Sequence, residues 1–239
     1  MNPRLIDAHT HVQFAAFKKD ADFVVKRALE SGVWMVNVGT QKDTSQKAIE
    51  LAEKYPEGVY ATVGLHPIHT DKSFHDEQEL GGDTGFTSRG EDFDYEFYKN
   101  LAKHPKVVAI GECGFDYYRG DRDKGEGLRE KQEKAFIQQI ELSLEIKKPL
   151  MIHCRQGFGD LIRVLGIYFD KGNSGKPGII HFFSGNLQEA TALLDMGFFF
   201  TFGGVITFPP RLAERSRGEA GVRDYDEIVR LIPMERILV

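Results

Sequence analysis

Eight short apolar runs rich in Val, Ile and Phe recur along this chain of 239 residues. In order they are RLIDAH, VWMVNVG, VYATVGLH, VVAIGE, PLMIHC, GIIHFF, GFFFTFGGVITF and RILV. Most of the segments between them carry helical spacing; one apolar stripe comprises Leu128, Gln132, Ala135, Phe136, Ile140 and Leu144. Strands that alternate with helices form parallel sheets. The pattern therefore predicts an α/β fold, a (β/α)₈ TIM-type barrel with residues 1–239 in a single domain.

Residues typical of helix ends support this segmentation. Gly32 and Gly197 each follow an amphipathic stretch, and Asn186 and Asp160 stand where N-caps are expected. Between Thr70 and Tyr95 the sequence is polar and Gly-rich and has little apolar periodicity. We expect this segment to be a mobile loop or insertion after the third strand.

The charge balance restricts how a polyanion could bind. The chain has 31 Lys and Arg against 36 Asp and Glu, a net charge of −5, so it lacks the broad basic surface that neutralises phosphates over a wide area. Bound cations and a few well-placed Arg or Lys residues could still hold a phosphate locally. The composition therefore weakens a nuclease interpretation without excluding it.

Compartment is indicated by what the sequence lacks. The N-terminal MNPRLIDAHTH has none of the features of a signal peptide, and no run reaches the roughly 18 apolar residues of a membrane span. The two cysteines, Cys113 and Cys154, lie in apolar strand-like segments, which favours reduced, buried thiols over a disulfide. A reactive cysteine is the minor alternative. We expect a soluble cytoplasmic protein without a membrane partner.

Histidines and one glutamate occur where predicted strands end. His9 and His11, two residues apart on a strand, point to the same side and can converge on one ion. Glu112, His153 and His181 close three later apolar runs, and in a barrel such ends gather on one face. Each of them alone is more simply a hydrogen-bonded core residue. Together they favour a metal centre, in which a carboxylate among four histidines could bridge two ions for phosphoester hydrolysis.

Three further features lie at the same predicted face. His66 ends the third run and could bind phosphate or transfer a proton. Arg155 is placed to fork onto a phosphate, although an ordinary structural ion pair is equally consistent with the sequence. Gly203 and Gly204 could allow the backbone to approach a substrate closely.

The order DAHTH, GLHP, GECGFDYY, PLMIHCR, IIHFFSGN and FTFGG resembles the TatD family of the amidohydrolase superfamily, from the first strand to the last residue. Family members are described as Mg²⁺- or Mn²⁺-dependent deoxyribonucleases acting on DNA ends, with Zn²⁺ also seen in such sites. The resemblance implies one metal on His9 and His11, a second on His153 and His181, and Glu112 as the bridge. It also implies that two catalytic side chains meet the scissile phosphate, namely His66 and Arg155.

The sequence departs from the family pattern at its end. The family places an aspartate after the eighth strand, in a segment resembling ETDAP, as a metal ligand and general base. Here the sequence ends at Val239 after IPMERILV. We expect the natural chain to continue, so that residues 1–239 form a TatD-like barrel missing its last segment. A truncated form with an impaired site is the alternative.

These observations predict a divalent-metal-dependent phosphodiester hydrolase, a DNA exonuclease that activates water with two ions. Its expected substrate is DNA, at ends or as single strands, and a monomer is favoured. One alternative is a D-aminoacyl-tRNA deacylase or another amide or ester hydrolase, since barrels host many reactions. Related binuclear enzymes bridge their metals with a modified lysine on the fourth strand, and Glu112 at that place favours the TatD branch. A non-catalytic metal-binding scaffold is the remaining alternative.

Overall fold

The structure is a computed structural model that describes residues 2–75, 86–88, 90–118, 125–169, 177–207 and 225–239. Eight of its strands form one sheet, in which every neighbouring pair is parallel. In sheet order these strands are β1 (Leu5–Thr10), β2 (Val33–Val38), β3 (Val59–Val63), β6 (Val107–Asp116), β7 (Leu150–Arg155), β8 (Gly178–His181), β9 (Phe199–Thr201) and β10 (Ile237–Leu238).

The two ends of this sheet meet. The backbone N–H of Ala8 on β1 donates to the carbonyl of Val239, next to β10, at 2.9 Å. The sheet is therefore a nearly closed barrel of eight parallel strands, which confirms the predicted (β/α)₈ fold. Strands β4 (Ser73–His75) and β5 (Phe86–Ser88) lie apart from it as an antiparallel pair.

Helices alternate with the barrel strands. They are α1 (Ala21–Glu30), α2 (Lys42–Glu53), α3 (Tyr95–Ala102), α4 (Gly125–Ile146), α5 (Phe158–Tyr168), α6 (Leu187–Asp195) and α7 (Tyr225–Leu231). Short 3₁₀ turns occupy Ala15–Phe17, Pro67–Thr70, Gly204–Thr207 and Met234–Arg236. Among the described residues, no helix has the length and apolar character needed to span a membrane.

Most of the core lies between the outer face of the sheet and the helices. Phe115, Phe136, Phe183 and Phe200 are fully buried there, and burying each phenyl side chain contributes about 1.5–3 kcal/mol. Cys113 and Cys154 are free and buried in the same layer. Burial raises the pKa of both thiols, in agreement with the interpretation of the cysteines as reduced and structural.

Three of the four expected helix ends are confirmed. Gly32 and Gly197 adopt positive φ angles of 73° and 92°, and the Asn186 side chain accepts from the backbone N–H of Glu189 as the N-cap of α6. The fourth expectation was wrong. Asp160 lies inside the first turn of α5, because that helix begins two residues earlier, at Phe158.

Two predicted segment boundaries also change. The run GFFFTFGGVITF is not one strand, because β9 ends at Thr201 and a 3₁₀ turn begins at Gly204. The segment expected to be a mobile loop contains the β4–β5 pair. It also contains Phe93, which is buried and stacks on Tyr98. Residues 76–85 and 89 of this segment lie outside the described part of the chain.

Two buried glutamines of α4 fix the ends of β3 and β6. Gln139 accepts from the backbone N–H of Leu65 and donates to its carbonyl, at 2.9 and 3.0 Å. Gln132 makes the same pair of bonds with Asp116, both at 3.0 Å. Each amide thus replaces the backbone partner that the strand end would otherwise lack, and α4 sets the positions of the residues that follow.

Candidate metal centre

The end of β1 is shaped by a side chain from the neighbouring strand. The register of β1 against β2 shifts between Asp7 and Thr10. The amide oxygen of Asn37 accepts from the hydroxyl of Thr10 at 3.0 Å and from the backbone N–H of Val12 at 3.1 Å. This anchoring holds the segment that carries His9 and His11.

His9, His11 and Glu112 form the first group of candidate ligands. The two Nε2 atoms of the histidines are 3.1 Å apart, and Nε2 of His9 is 3.3 Å from Oε2 of Glu112. The carbonyl of Val38 lies 2.9 Å from Nδ1 of His11 and can only accept, so Nδ1 carries the proton. Burial, assisted by the nearby His9, lowers the pKa of His11 to about 4. Nε2 of His11 therefore presents a lone pair, as metal coordination requires.

His66, Glu112 and His153 form a second group. Oε1 of Glu112 lies 3.4 Å from Nε2 of His66 and 3.2 Å from Nδ1 of His153. The other ring nitrogen of His153, Nε2, is 3.0 Å from Oδ2 of Asp116. Burial opposes a charge on this imidazole, but its hydrogen bonds to Asp116 and Glu112 outweigh that effect and raise its pKa to about 9.

Glu112 belongs to both groups and is only 4% exposed. Although burial disfavours its charged form, the nearby His9 and His66 hold its pKa well below the usual value. Each carboxylate oxygen faces a different set of imidazoles. A buried carboxylate between two sets of nitrogen donors fits a bridge between two divalent cations.

The hydrogen bonding of His66 separates it from the other ligand candidates. Its Nδ1 accepts from the backbone N–H of Ile68 at 3.1 Å, so the neutral ring carries its proton on Nε2, toward Glu112. An Nε2 that bears a proton cannot bind a metal. Although the distances group His66 with two candidate ligands, its tautomer favours the predicted role in phosphate binding, as a hydrogen-bond donor, over the predicted role in proton transfer.

His181 lies beside the first group but outside both. Its ring stacks on that of His9, with centroids 3.4 Å apart and planes 14° apart. Burial, followed by the effect of His9, lowers its pKa to about 3. The imidazole is thus neutral and adjacent to the cluster, while its predicted ligand role does not follow from these distances.

Arg155 packs on an aromatic ring, and Gly203 and Gly204 differ in the space around them. The guanidinium of Arg155 lies 3.4 Å from the ring centroid of Tyr118, whose side chain is 56% exposed. A Cβ on Gly203 would collide with the ring of Phe182, whereas one on Gly204 would meet nothing within 4 Å. The space at Gly203 is therefore taken by a phenyl ring rather than left open to a substrate.

Asp116 is a candidate site residue that the sequence did not single out, and the structure places it against His153. It is nearly fully buried and its pKa is lowered, because the hydrogen bond from His153 outweighs the cost of burial. Its other oxygen accepts from the backbone N–H of Tyr118 at 2.9 Å. The available clue was its position four residues after Glu112 in one extended run, which places both side chains on the same face of a strand.

The chain is similar in sequence and in fold to proteins of one known family. Residues 6–239 match the family model described as TatD related DNase. The chain belongs to the TatD family. This membership confirms the resemblance seen in the sequence and places the chain among metal-dependent hydrolases.

Several TatD relatives are similar over nearly the whole chain. One, from Erwinia tasmaniensis, is named 3'-5' ssDNA/RNA exonuclease TatD and is 32% identical over 98% of this chain and 78% of its own length. Another, from Bacillus subtilis, is named uncharacterized metal-dependent hydrolase YabD and is 30% identical over the same shares. Among solved structures, the TatD homolog YJJV of Escherichia coli matches with a TM-score of 0.73 and 25% identity, over 100% of this chain and 79% of the other.

Proposed function

We propose that this TatD protein is a divalent-metal-dependent phosphodiesterase that removes nucleotides from single-stranded DNA. The observation that carries the proposal is the carboxylate of Glu112, whose two oxygens face separate sets of imidazoles. The names of relatives described as ssDNA/RNA exonucleases support the substrate class. We take residues 1–239 as one domain of a cytoplasmic monomer.

The proposed ligand set follows the two sides of the carboxylate. His9 and His11 would hold one ion, His153 and His181 the second, and Glu112 both. Bound Mg²⁺ or Mn²⁺, with Zn²⁺ as the alternative, would lower the pKa of water and neutralise charge on the phosphate oxygens. For His181 the support is the family resemblance, because the structure places its ring against His9, on the other side of the carboxylate.

Two side chains would contact the phosphate. His66 presents an Nε2–H that can donate a hydrogen bond to a phosphate oxygen. Arg155 would supply a bidentate guanidinium, with Tyr118 supporting its plane. Asp116 would keep His153 oriented by accepting from Nε2, so that Nδ1 is directed toward Glu112.

The test is nucleotide release from a labelled single-stranded DNA by metal-stripped protein, with Mg²⁺, Mn²⁺ or Zn²⁺ restored singly. We expect no release without metal, release of mononucleotides with at least one ion, and none from the Glu112→Ala variant. Circular dichroism would show that this variant is folded. Retained turnover in Glu112→Ala would refute the site, and release of an amino acid from aminoacyl-tRNA without DNA cleavage would refute the substrate class.

A further inference from the structure

Phe182 combines exposure with an unfavourable backbone conformation. It follows the last residue of β8, the residue is 45% exposed, and its φ is 48°. A positive φ is unusual for a bulky residue, whereas glycine or asparagine adopts it at little cost. Strain of this kind persists where the surrounding structure enforces it, and it is concentrated at functional sites.

The surrounding structure holds this conformation from two directions. The backbone N–H of Phe182 donates to the hydroxyl of Thr201 at 2.9 Å. The ring lies directly against Gly203, where a Cβ would collide with ring atom Cε2. Because Gly203 has no side chain, the phenyl ring of Phe182 can lie against its backbone.

Core packing accounts for the turn but not for the phenyl ring. The next residue, Phe183, is fully buried, and the left-handed turn helps to direct it inward. That purpose would be served at lower cost by a glycine or asparagine at position 182. A large aromatic ring that remains nearly half exposed adds strain and buries little, so a role in binding explains it better.

The ring lies next to the metal centre. Its centroid is 5.8 Å from that of His181, which itself stacks on His9. An apolar aromatic face thus borders a cluster of imidazoles and a carboxylate. A nucleotide has the matching pair of parts, a phosphate that binds cations and a base that stacks on aromatic rings.

We propose that Phe182 is a stacking platform for the base of the nucleotide whose phosphate binds at Glu112. This inference rests on the proposed function and names the part of the substrate that the site recognises beyond its phosphate. Stacking is tolerant of sequence because every base has a π face. The platform would therefore favour an unpaired terminal nucleotide without selecting among the four bases.

The test compares two oligonucleotides, one intact and one abasic at the terminal nucleotide, with wild-type protein and Phe182→Ala. We expect the abasic change to lower kcat/KM of the wild type about 5- to 140-fold, the range that stacking of one base supplies. Phe182→Ala should cause the same loss on the intact strand and little further loss on the abasic one. Equal losses on both substrates, or none on either, would overturn the platform.

Three variants serve as controls. Phe182→Tyr keeps an aromatic face and should retain the preference for the intact strand. Gly203→Ala moves the ring of Phe182 away from residue 203 without removing it and should reduce the preference for the intact strand. Phe23→Ala, which alters a phenyl ring 64% exposed on α1, should behave as wild type. Mn²⁺ binding by calorimetry should be unchanged in Phe182→Ala, which separates a stacking loss from damage to the metal centre.

A binding assay separates failure of the platform from failure of the proposed function. A single-stranded oligonucleotide with terminal 2-aminopurine should lose fluorescence on binding wild-type protein and not on binding Phe182→Ala. Turnover of DNA without any dependence on Phe182 in either assay would refute the platform alone. Quenching that depends on Phe182 without DNA turnover would refute the nuclease proposal and leave the platform supported.

Discussion

The two oxygens of Glu112 face unlike surroundings. On the β1 side, defined by His9 and His11, two imidazole nitrogens approach one another at 3.1 Å and the pKa of His11 is lowered to about 4. On the β7 side, defined by His153 and Asp116, an imidazole lies between two carboxylates and its pKa is raised to about 9. The same carboxylate thus borders a site deficient in positive charge and a site where a protonated imidazole already supplies it.

A cation binding on each side of Glu112 would therefore meet unequal competition from protons. On the β1 side, Nε2 of His11 already presents a lone pair, because its proton lies on Nδ1. On the β7 side an ion must displace the proton that His153 holds toward Glu112. Since metal binding competes with protons for such ligands, we expect the β1 side to bind its ion more tightly.

The largest expected effect comes from the residue that both sides share. Glu112→Gln keeps the size of the side chain and removes its charge, so both sides should lose their ion. We expect metal-dependent turnover to fall roughly 1000-fold or more, since metal ions supply several kcal/mol of charge stabilisation. Elemental analysis of the purified variant, together with its turnover, checks this. Retention of one ion would show that the two sides are independent of the bridge.

Removing one histidine from each side tests the comparison directly. His11→Ala should abolish the tighter of two binding events, and His153→Ala the weaker, in calorimetric titrations with Mn²⁺. Turnover should be lost in both variants, because each retains only half of the binuclear centre. The opposite order of affinities would show that proton competition at His153 does not decide which ion binds more tightly.

Asp116→Asn should have an intermediate and one-sided effect. The amide cannot supply the charge that orients His153 through Nε2, and loss of such outer partners typically lowers metal affinity 10- to 100-fold. We expect that loss in the weaker binding event alone. A loss of similar size in the tighter event would mean that Asp116 acts on the whole centre through folding rather than through His153.

The smallest effects are expected from the amides that hold the strand ends. Asn37→Leu and Gln139→Leu each leave backbone or hydroxyl groups without their amide partner. Each substitution should lower the free energy of unfolding by about 1–3 kcal/mol, measured by urea denaturation of metal-free protein. A Glu50→Gln control alters an exposed side chain of α2 and should change the stability by less than about 0.5 kcal/mol.

Much of the fold could be predicted because strand and helix periodicities are local. Each of the eight apolar runs corresponds to a strand of the barrel, and glycines 32 and 197 marked helix ends correctly. Since parallel strands place their carboxyl ends on one face, the runs ending in Glu112, His153 and His181 indicated where a site would be.

The details of the site could not be predicted because they depend on irregular features. Register shifts occur in β1, around His9, and in β6 between Ile110 and Cys113, around Glu112. The tautomer of His66 is set by a turn two residues later, at Ile68. The stacking of His181 on His9 joins β8 and β1, which are far apart in sequence. None of these features changes the periodicity of apolar residues, which is the signal that the sequence provides.

The hydrogen bond from Ala8 to Val239 would let an ion bound at His9 stabilise the closed barrel. That bond joins the two ends of the sheet, and Ala8 immediately precedes His9. Opening the barrel at this point would carry His9 away from Glu112, so an ion held between them would bind only the closed form. By mass action, an ion present at 100 times its dissociation constant would favour closure by about 2.7 kcal/mol. The ion would then stabilise the closed barrel as well as activate water within it.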